Sequence, residues 1–233
     1  GDVCDEHRMR GVLEYHKPDV VLHAAAHKHV TMMEKQPAEA IKNNVDGTAT
    51  IGELSGALGV GTFVLISTDK AVRPTSVMGA SKRVAELIVQ DLDSRYATKF
   101  MTVRFGNVLG STGSVVPIFT EQIARGGPVT VTHRDMTRYF MSITEAAQLV
   151  LSAAAIGEGG EIFVLDMGEP MSIVELAQKM IQLSGFEPYD DIDIVFTGTR
   201  PGEKLTEQLG NLAEDLTPTT NAKIFIGKLS AYD

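Results

Sequence analysis

Four polar residues stand in a row, Ser67-Thr68-Asp69-Lys70, directly after a short apolar run at 63–66. The length and β-branched content of that run predict a buried strand. Beyond it the chain crosses Pro74 and enters a predicted helix with Met78 and Lys82 four residues apart, hence on one face. Hydroxyls, a carboxyl and two amines are thereby delivered to the carboxyl end of one strand and to the helix that follows. In open α/β sheets this edge is where ligands bind. An acid beside an amine suits proton transfer in both directions. The amine serves as a base only if burial or a neighbouring cation such as Lys82 depresses its pKa. Without further context, a solvated ion pair in a loop is the plainer account of Asp69 and Lys70.

The elements that must carry these residues follow from periodicity. A helix is predicted at 6–16, ended by Pro18, and a strand at 19–23 that opens into His23-Ala24-Ala25-Ala26. A long helix is predicted at 37–58, with Asn44 inside it and Gly59 closing it. The strand at 63–66, the helix at 78–96 and a strand at 100–105 come next. Strands alternating with helices of this length mean βαβ units and a parallel sheet. After Gly106 a Gly/Ser-rich loop runs to Ser114. A helix at 118–124, a strand at 129–132, a helix to 155 capped by Ser142 or Thr144, a strand at 161–165 and a capped helix at 172–183 follow. Strands at 192–196 and 223–227 complete the set, with a charged turn at 200–204 between them.

The 233 residues carry 21 Lys and Arg against 30 Asp and Glu, a net charge of −9. So acidic a chain is a poor nucleic-acid binder, and no DNA or RNA partner is expected. A single cysteine, Cys4, excludes an internal disulfide and suits a reducing compartment. No apolar run approaches the roughly 20 residues of a membrane span, so this stretch is expected to be cytoplasmic and off the membrane. The histidines His23, His27 and His29 lack the spacing of a zinc ligand set, and no metal is expected. The Gly110–Ser114 loop lacks P-loop spacing.

Six motifs, in order, name a family. They are His23-Ala-Ala-Ala-His-Lys-His-Val30, Ser67-Thr-Asp-Lys-Ala-Val72, Met78-Gly-Ala-Ser-Lys-Arg83, Arg104-Phe-Gly-Asn-Val-Leu-Gly110, Met136-Thr-Arg-Tyr-Phe-Met141 and Arg200-Pro-Gly-Glu-Lys204. The chain resembles the nucleotide-sugar 4,6-dehydratases of polysaccharide biosynthesis, an extended branch of the short-chain dehydrogenase/reductases. The likeness is greatest to the group acting on UDP-N-acetylglucosamine. Two departures stand out. Thr31 occupies a usual proline position, and Met78 stands where the superfamily's Tyr-x-x-x-Lys motif has tyrosine. No G-x-G-x-x-G occurs, although that loop holds the dinucleotide pyrophosphate. The expectation is that about two βα units precede Gly1, and that this stretch alone lacks activity.

The resemblance implies a doubly wound, Rossmann-like α/β fold without its first βα units. Residues 1–113, with 142–166 packing back, would form the dinucleotide-binding part, and 114–141 with 167–233 a smaller substrate lobe. It implies NAD or NADP as cofactor, a UDP-sugar as substrate and a homo-oligomer. Members with methionine at position 78 often carry membrane-spanning N-terminal segments, so the longer protein is expected at the cytoplasmic face of a membrane. Asp69 and Lys70 take the acid and base roles; with Met78 in place of tyrosine, Asp69 or a water positioned by Thr68 removes the first proton. Lys82 bonds the nicotinamide ribose. Asp2, Val3, Ala24, Ala25, Ala26, Lys28, Asn44, Ser67 and Phe105 line the cofactor. Lys28, Asn107, Ser114, Val115, Thr132, Arg138, Arg200 and Glu203 contact substrate, with Arg138 and Arg200 gripping the diphosphate. A UDP-sugar 4-epimerase is the runner-up, disfavoured because epimerisation needs neither a C5 base nor a C6 acid. A non-catalytic UDP-sugar-binding module is the rival from another class.

Overall fold

The computed structural model describes residues 1–209 and 216–227. The first half runs α1 (Glu6–His16), β1 (Val20–His23), α2 (Val30–Lys35), α3 (Pro37–Ala40), a π-helical stretch (Ile41–Asp46), α4 (Gly47–Ala57), β2 (Thr62–Thr68), a 3-10 turn (Asp69–Ala71), α5 (Val77–Arg95) and β3 (Lys99–Phe105). There follow β4 (Asn107–Val108), α6 (Val115–Ala124), β5 (Val129–Val131), β6 (Thr137–Arg138), β7 (Phe140–Met141), α7 (Ile143–Ile156), β8 (Ile162–Leu165), β9 (Met171–Ser172), α8 (Ile173–Leu183), β10 (Ile194–Phe196), β11 (Leu216–Pro218) and β12 (Ile224–Gly227).

These elements form two compact units. The first holds Gly1–Phe105, Gln148–Asp166 and the described residues from Gln208 onward; the second holds Gly106–Ala147 and Met167–Glu207. In the first, six strands lie in the order β1-β2-β3-β8-β12-β11. β1, β2, β3 and β8 are parallel, and β12 and β11 add antiparallel. Phe63, Leu65 and Phe100 pack under Leu13, Ile51, Leu54, Val89 and Leu92, which come from α1, α4 and α5. Val64, Met101 and Val103, which alternate with them along β2 and β3, are equally buried. Burial on both faces is the mark of a doubly wound sheet. The second unit has its own apolar core, in which Phe119 and Ile123 of α6 meet Val129, Val131, Ile173, Ala177, Ile181 and Ile194.

Several expectations change. The helix at 37–58 is interrupted by the π-helical stretch around Asn44, and α2 precedes it in a segment for which no element was predicted. Residues 106–113 belong to the second unit. The 216–227 segment, expected in the substrate lobe, extends the large sheet instead. The cause is β8: its four residues are all buried, and without β12 the backbone groups on its far edge would be orphaned. Of the two residues offered as the cap of α7, Ser142 does it, its Oγ accepting from Glu145 N at 3.1 Å.

One carboxylate crosslinks the carboxyl ends of the central strands. Glu86 of α5 is fully buried. Its Oε1 accepts from Ser67 Oγ (2.6 Å) and Arg104 Nε (2.7 Å), and its Oε2 from Arg83 Nη1 (2.9 Å) and Arg104 Nη2 (2.5 Å). Ser67 and Arg104 are register partners on β2 and β3. Removing one partner of such a buried pair leaves uncompensated charge. Glu86→Ala is expected to lower unfolding stability by about 3–5 kcal/mol, read from urea denaturation. A loss under about 1 kcal/mol would show that the network contributes no more than a surface pair.

Candidate active site

β2 ends by handing its last residues to the 3-10 turn. Thr68 Oγ1 caps that turn, accepting from Lys70 N at 3.4 Å, and donates to Asp69 Oδ1 at 2.8 Å. Lys70 Nζ donates to the same Oδ1 at 2.9 Å. Asp69 is fully buried, and its Oδ2 has no hydrogen-bond partner among the described residues. A buried carboxylate oxygen left open in this way calls for an explanation, and a reacting group supplies one. Lys70 keeps 19 % of its side chain exposed, so the pair reaches the surface through the amine. The plain ion-pair account of a solvated loop does not fit a carboxylate at zero exposure.

Close packing sets the height of this turn. A Cβ at Gly79 would lie 2.3 Å from the Lys70 carbonyl oxygen, so only glycine lets α5 approach. Ser76 caps the helix, accepting from Gly79 N at 3.0 Å. Three residues on, Lys82 is buried and donates from Nζ to Ile66 O at 2.7 Å, back at the end of β2. Burial lowers its pKa from the usual 10.5 to about 8, while Glu86 pulls the other way. Met78 is 3 % exposed and packs with Met33 and Ala40, against Val30 and Val77. Its thioether fills an apolar cluster and offers no proton.

Asn44 is also fully buried, spent on holding the chain after β1. It accepts from His27 N (2.7 Å), and its amide donates to His27 O (3.1 Å) and Ser81 Oγ (3.0 Å). The π-helical stretch turns Asn44 to this task; such bulges recur at functional sites. Ser67 is likewise occupied, by Glu86, so it and Asn44 support the site from beneath instead of lining a ligand. His23 is buried, with Nε2 2.9 Å from Thr48 Oγ1. Because Thr48 donates to Asn44 O, His23 serves as the donor, and burial lowers its pKa to about 4. His27 and His29 are exposed and share no cluster with it. Ala24, Ala25 and Lys28 are exposed, while Ala26 and Phe105 are half-buried. Asp2, Val3 and Ala25 line one cleft of about 330 Å³ with Cys4, His27, Glu39, Lys42 and Asn43. Asp2 Oδ1 accepts from Cys4 N, which lowers its pKa.

In the second unit, Arg138 departs from its expected place on a diphosphate. It is buried, with Nη1 on the carbonyls of Thr137 (2.6 Å) and Leu205 (3.0 Å) and Nη2 on that of Lys204 (2.9 Å). A guanidinium so committed fixes the backbone that follows the Arg200 turn. Arg200 is exposed, and its N–H donates to Glu203 Oε2 at 3.0 Å, so Glu203 shapes the turn. Ser114 is the N-cap residue of α6; its Oγ is buried and without a partner among the described residues, and Val115 begins the helix. Thr132 donates to Met136 Sδ, and Asn107 N donates to Tyr139 O. Among the described residues no helix is long and apolar enough to cross a membrane.

The family model described as "Polysaccharide biosynthesis protein" matches residues 1–229. The chain belongs to this polysaccharide biosynthesis protein family. Within it, the chain is 55 % identical over 227 residues to the probable polysaccharide biosynthesis protein EpsC of Bacillus subtilis (strain 168), covering 97 % of this chain and 38 % of EpsC. It is 54 % identical over 232 residues to the capsular polysaccharide biosynthesis protein CapD of Staphylococcus aureus, covering 99 % and 39 %. The chain thus spans about two-fifths of these relatives' length. The structure of Pen from Bacillus thuringiensis superposes with a TM-score of 0.88 at 34 % identity, covering 97 % of this chain and 71 % of Pen. A double mutant of DesIV of Streptomyces venezuelae, a dTDP-glucose 4,6-dehydratase, shares the fold at TM-score 0.82 and 22 % identity, covering 90 % and 69 %.

Sequence reasoning missed the roles of Gly79 and Glu86 in this family member. For Glu86 a signal existed, since it lies four residues after Lys82 and three after Arg83 on one helix. A test follows from Lys82. Its folded pKa lies below its unfolded one, so between about pH 8 and 10.5 the unfolded chain binds more protons. Stability therefore carries the full cost of the buried ammonium below pH 8 and recovers as pH rises through that window. Urea denaturation across it is expected to show stability rising more in the wild type than in Lys82→Met. Equal slopes would mean that Lys82 titrates as an exposed lysine.

Proposed function

We propose that the protein to which this chain belongs dehydrates UDP-N-acetylglucosamine across C5 and C6, giving a UDP-4-keto-6-deoxy sugar. The observation that carries this reading is Asp69: a fully buried carboxylate with one oxygen tied to Lys70 and Thr68 and the other open. Elimination of water needs an acid for the departing C6 hydroxyl and a base for the C5 proton, side by side. Transfer of one proton along the 2.9 Å hydrogen bond turns the Lys70–Asp69 ion pair into an amine and a carboxylic acid. That moves no net charge into the site and leaves both groups in working form.

The residues fit a nicotinamide dinucleotide. Small exposed Ala24 and Ala25 permit close approach, the cleft beside Asp2 and Val3 suits a nucleobase, and Lys82 lies at the strand end to meet a ribose. When bound, the dinucleotide would supply an acceptor for the hydride at C4, which acidifies C5, and a donor of that same hydride to C6 once water has left, so no other oxidant or reductant is needed. Thr68 holds Asp69 in place; because Asp69 then carries the proton from Lys70, the C4 hydroxyl proton that Met78 cannot take leaves through a water positioned by Thr68. Substrate contacts fall to Lys28, Asn107, Ser114, Val115, Thr132 and the Arg200–Glu203 turn, with Arg138 bracing that turn. DesIV and UDP-glucose 4-epimerases share the fold, and the DesIV structure contains NAD. The adjacent acid and base favour dehydration over epimerisation.

Turnover of UDP-N-acetylglucosamine by the intact protein, followed by mass spectrometry, is the test. Asp69→Asn and Lys70→Ala are each expected to lower turnover by about 10²–10⁴ while substrate binding stays within a few-fold. Met78→Ala is expected to retain turnover and to lose about 2–5 kcal/mol of stability, the cost of a trimmed core side chain. Undiminished turnover in either of the first two variants would remove the pair from the chemistry. Lost turnover in a folded Met78→Ala protein would give the thioether a role that its packing does not explain.

A further inference from the structure

Glu34 lies outside every chemical role assigned above, yet it reaches the helix that carries Met78 and Lys82. It sits on α2, directly after the Ala24–His29 passage, and is half-buried. Its Oε1 accepts from Val77 N at 2.6 Å, across 43 residues of sequence. Val77 is the first residue of α5, so its N–H is one of the four that the helix cannot satisfy itself. A carboxylate there is also favoured by the helix dipole. Ser76 takes a second of those donors, at Gly79.

The tie is one of three between the same two segments. Met33, next to Glu34, packs on Met78, next to Val77. Asn44 grips the His27 backbone and Ser81 together. Ser81 in turn donates to Met78 O at 2.8 Å. Segment 24–35 is thus pinned to the first turns of α5 at His27, Met33 and Glu34. The same turns meet the Asp69–Lys70 turn through the glycine contact at Gly79. Of the three pins, Glu34 is the one whose polar link is made directly between the two segments.

We propose that Glu34 is a positioning residue for the dehydration: it registers the cofactor-facing Ala24–Lys28 passage against the start of α5, and through α5 against Asp69, Lys70 and Lys82. This rests on the reaction proposed above. Glu34 acts through the Val77 N–H and does not itself exchange a proton with substrate, so its oxygen is required and its charge is not.

The intact protein is compared with Glu34→Gln and Glu34→Ala by amide hydrogen exchange, NAD binding, kcat and KM. In Glu34→Ala the Val77 amide is expected to exchange several-fold to about thirtyfold faster, as for a lost helix cap. NAD binding weakens, and kcat falls by roughly ten- to a hundredfold with KM little changed, the size of effect that slight misplacement produces. Glu34→Gln, which keeps the acceptor oxygen, restores most of each. Equal impairment of both variants would overturn the proposal, because the charge would then be what matters. So would a Glu34→Ala protein with wild-type exchange, or with faster exchange but unchanged kcat. A wild-type protein that turns over no UDP-sugar would defeat the reaction itself. Exchange at Val77 and NAD affinity would then still decide whether Glu34 makes this tie.

Discussion

The carboxylate of Glu86 is the interaction on which the carboxyl ends of β2 and β3, and the turn after β2, depend. Taking a charge fully out of water costs several kcal/mol, and attraction within the protein offsets that only with near-complete hydrogen bonding. Glu86 meets the condition with four bonds, to Ser67, Arg83 and Arg104. The bonds join α5 to the ends of β2 and β3, so the helix can take one height and one rotation on the sheet. That rotation sends Lys82 to the Ile66 carbonyl and brings Gly79 onto the Lys70 carbonyl. It also sets the electrostatics, since burial lowers the Lys82 pKa and Glu86 moderates the shift.

A hierarchy of polar residues follows. Some are spent on structure: Ser67 and Arg104 on Glu86, Asn44 on His27 and Ser81, and Arg138 on the carbonyls of 204 and 205. Asp69 is different. It is as buried as Glu86, yet one of its oxygens is open. Two carboxylates on neighbouring elements thus have opposite environments, one saturated and one incomplete, and only the second is suited to react. Met78 belongs with the structural group, because its side chain fills the cluster around Met33 and Ala40.

The alternation of strands and helices through the first half was legible because parallel strands buried on both faces leave continuous apolar runs, as at Phe63–Ile66. The Asp69–Lys70 pair was legible for a related reason, since the strand end that delivers it is marked by those runs. What a side chain bonds was much harder to read. Asn44 falls inside a predicted helix and Arg138 inside a family motif, but neither signal names the partners, which are His27 and Ser81 for the first and the carbonyls of Lys204 and Leu205 for the second. The π-helical stretch arises from that tertiary demand, and helix periodicity gives no sign of it. The strand at Ile224–Gly227 was visible as a strand, yet its place beside β8 depends on which sheet edge is open.

The central claim is that Asp69 and Lys70 carry acid–base chemistry at C5 and C6 of a sugar. Turnover of UDP-N-acetylglucosamine by the intact protein in deuterated water, followed by mass spectrometry and proton NMR of the product, tests it most directly. A base that removes the C5 proton exchanges it with solvent. The expected product has lost one water and carries solvent deuterium at C5. An isomer of unchanged mass with protium at C5 would show that the site epimerises, and would contradict the assignment of Asp69 and Lys70.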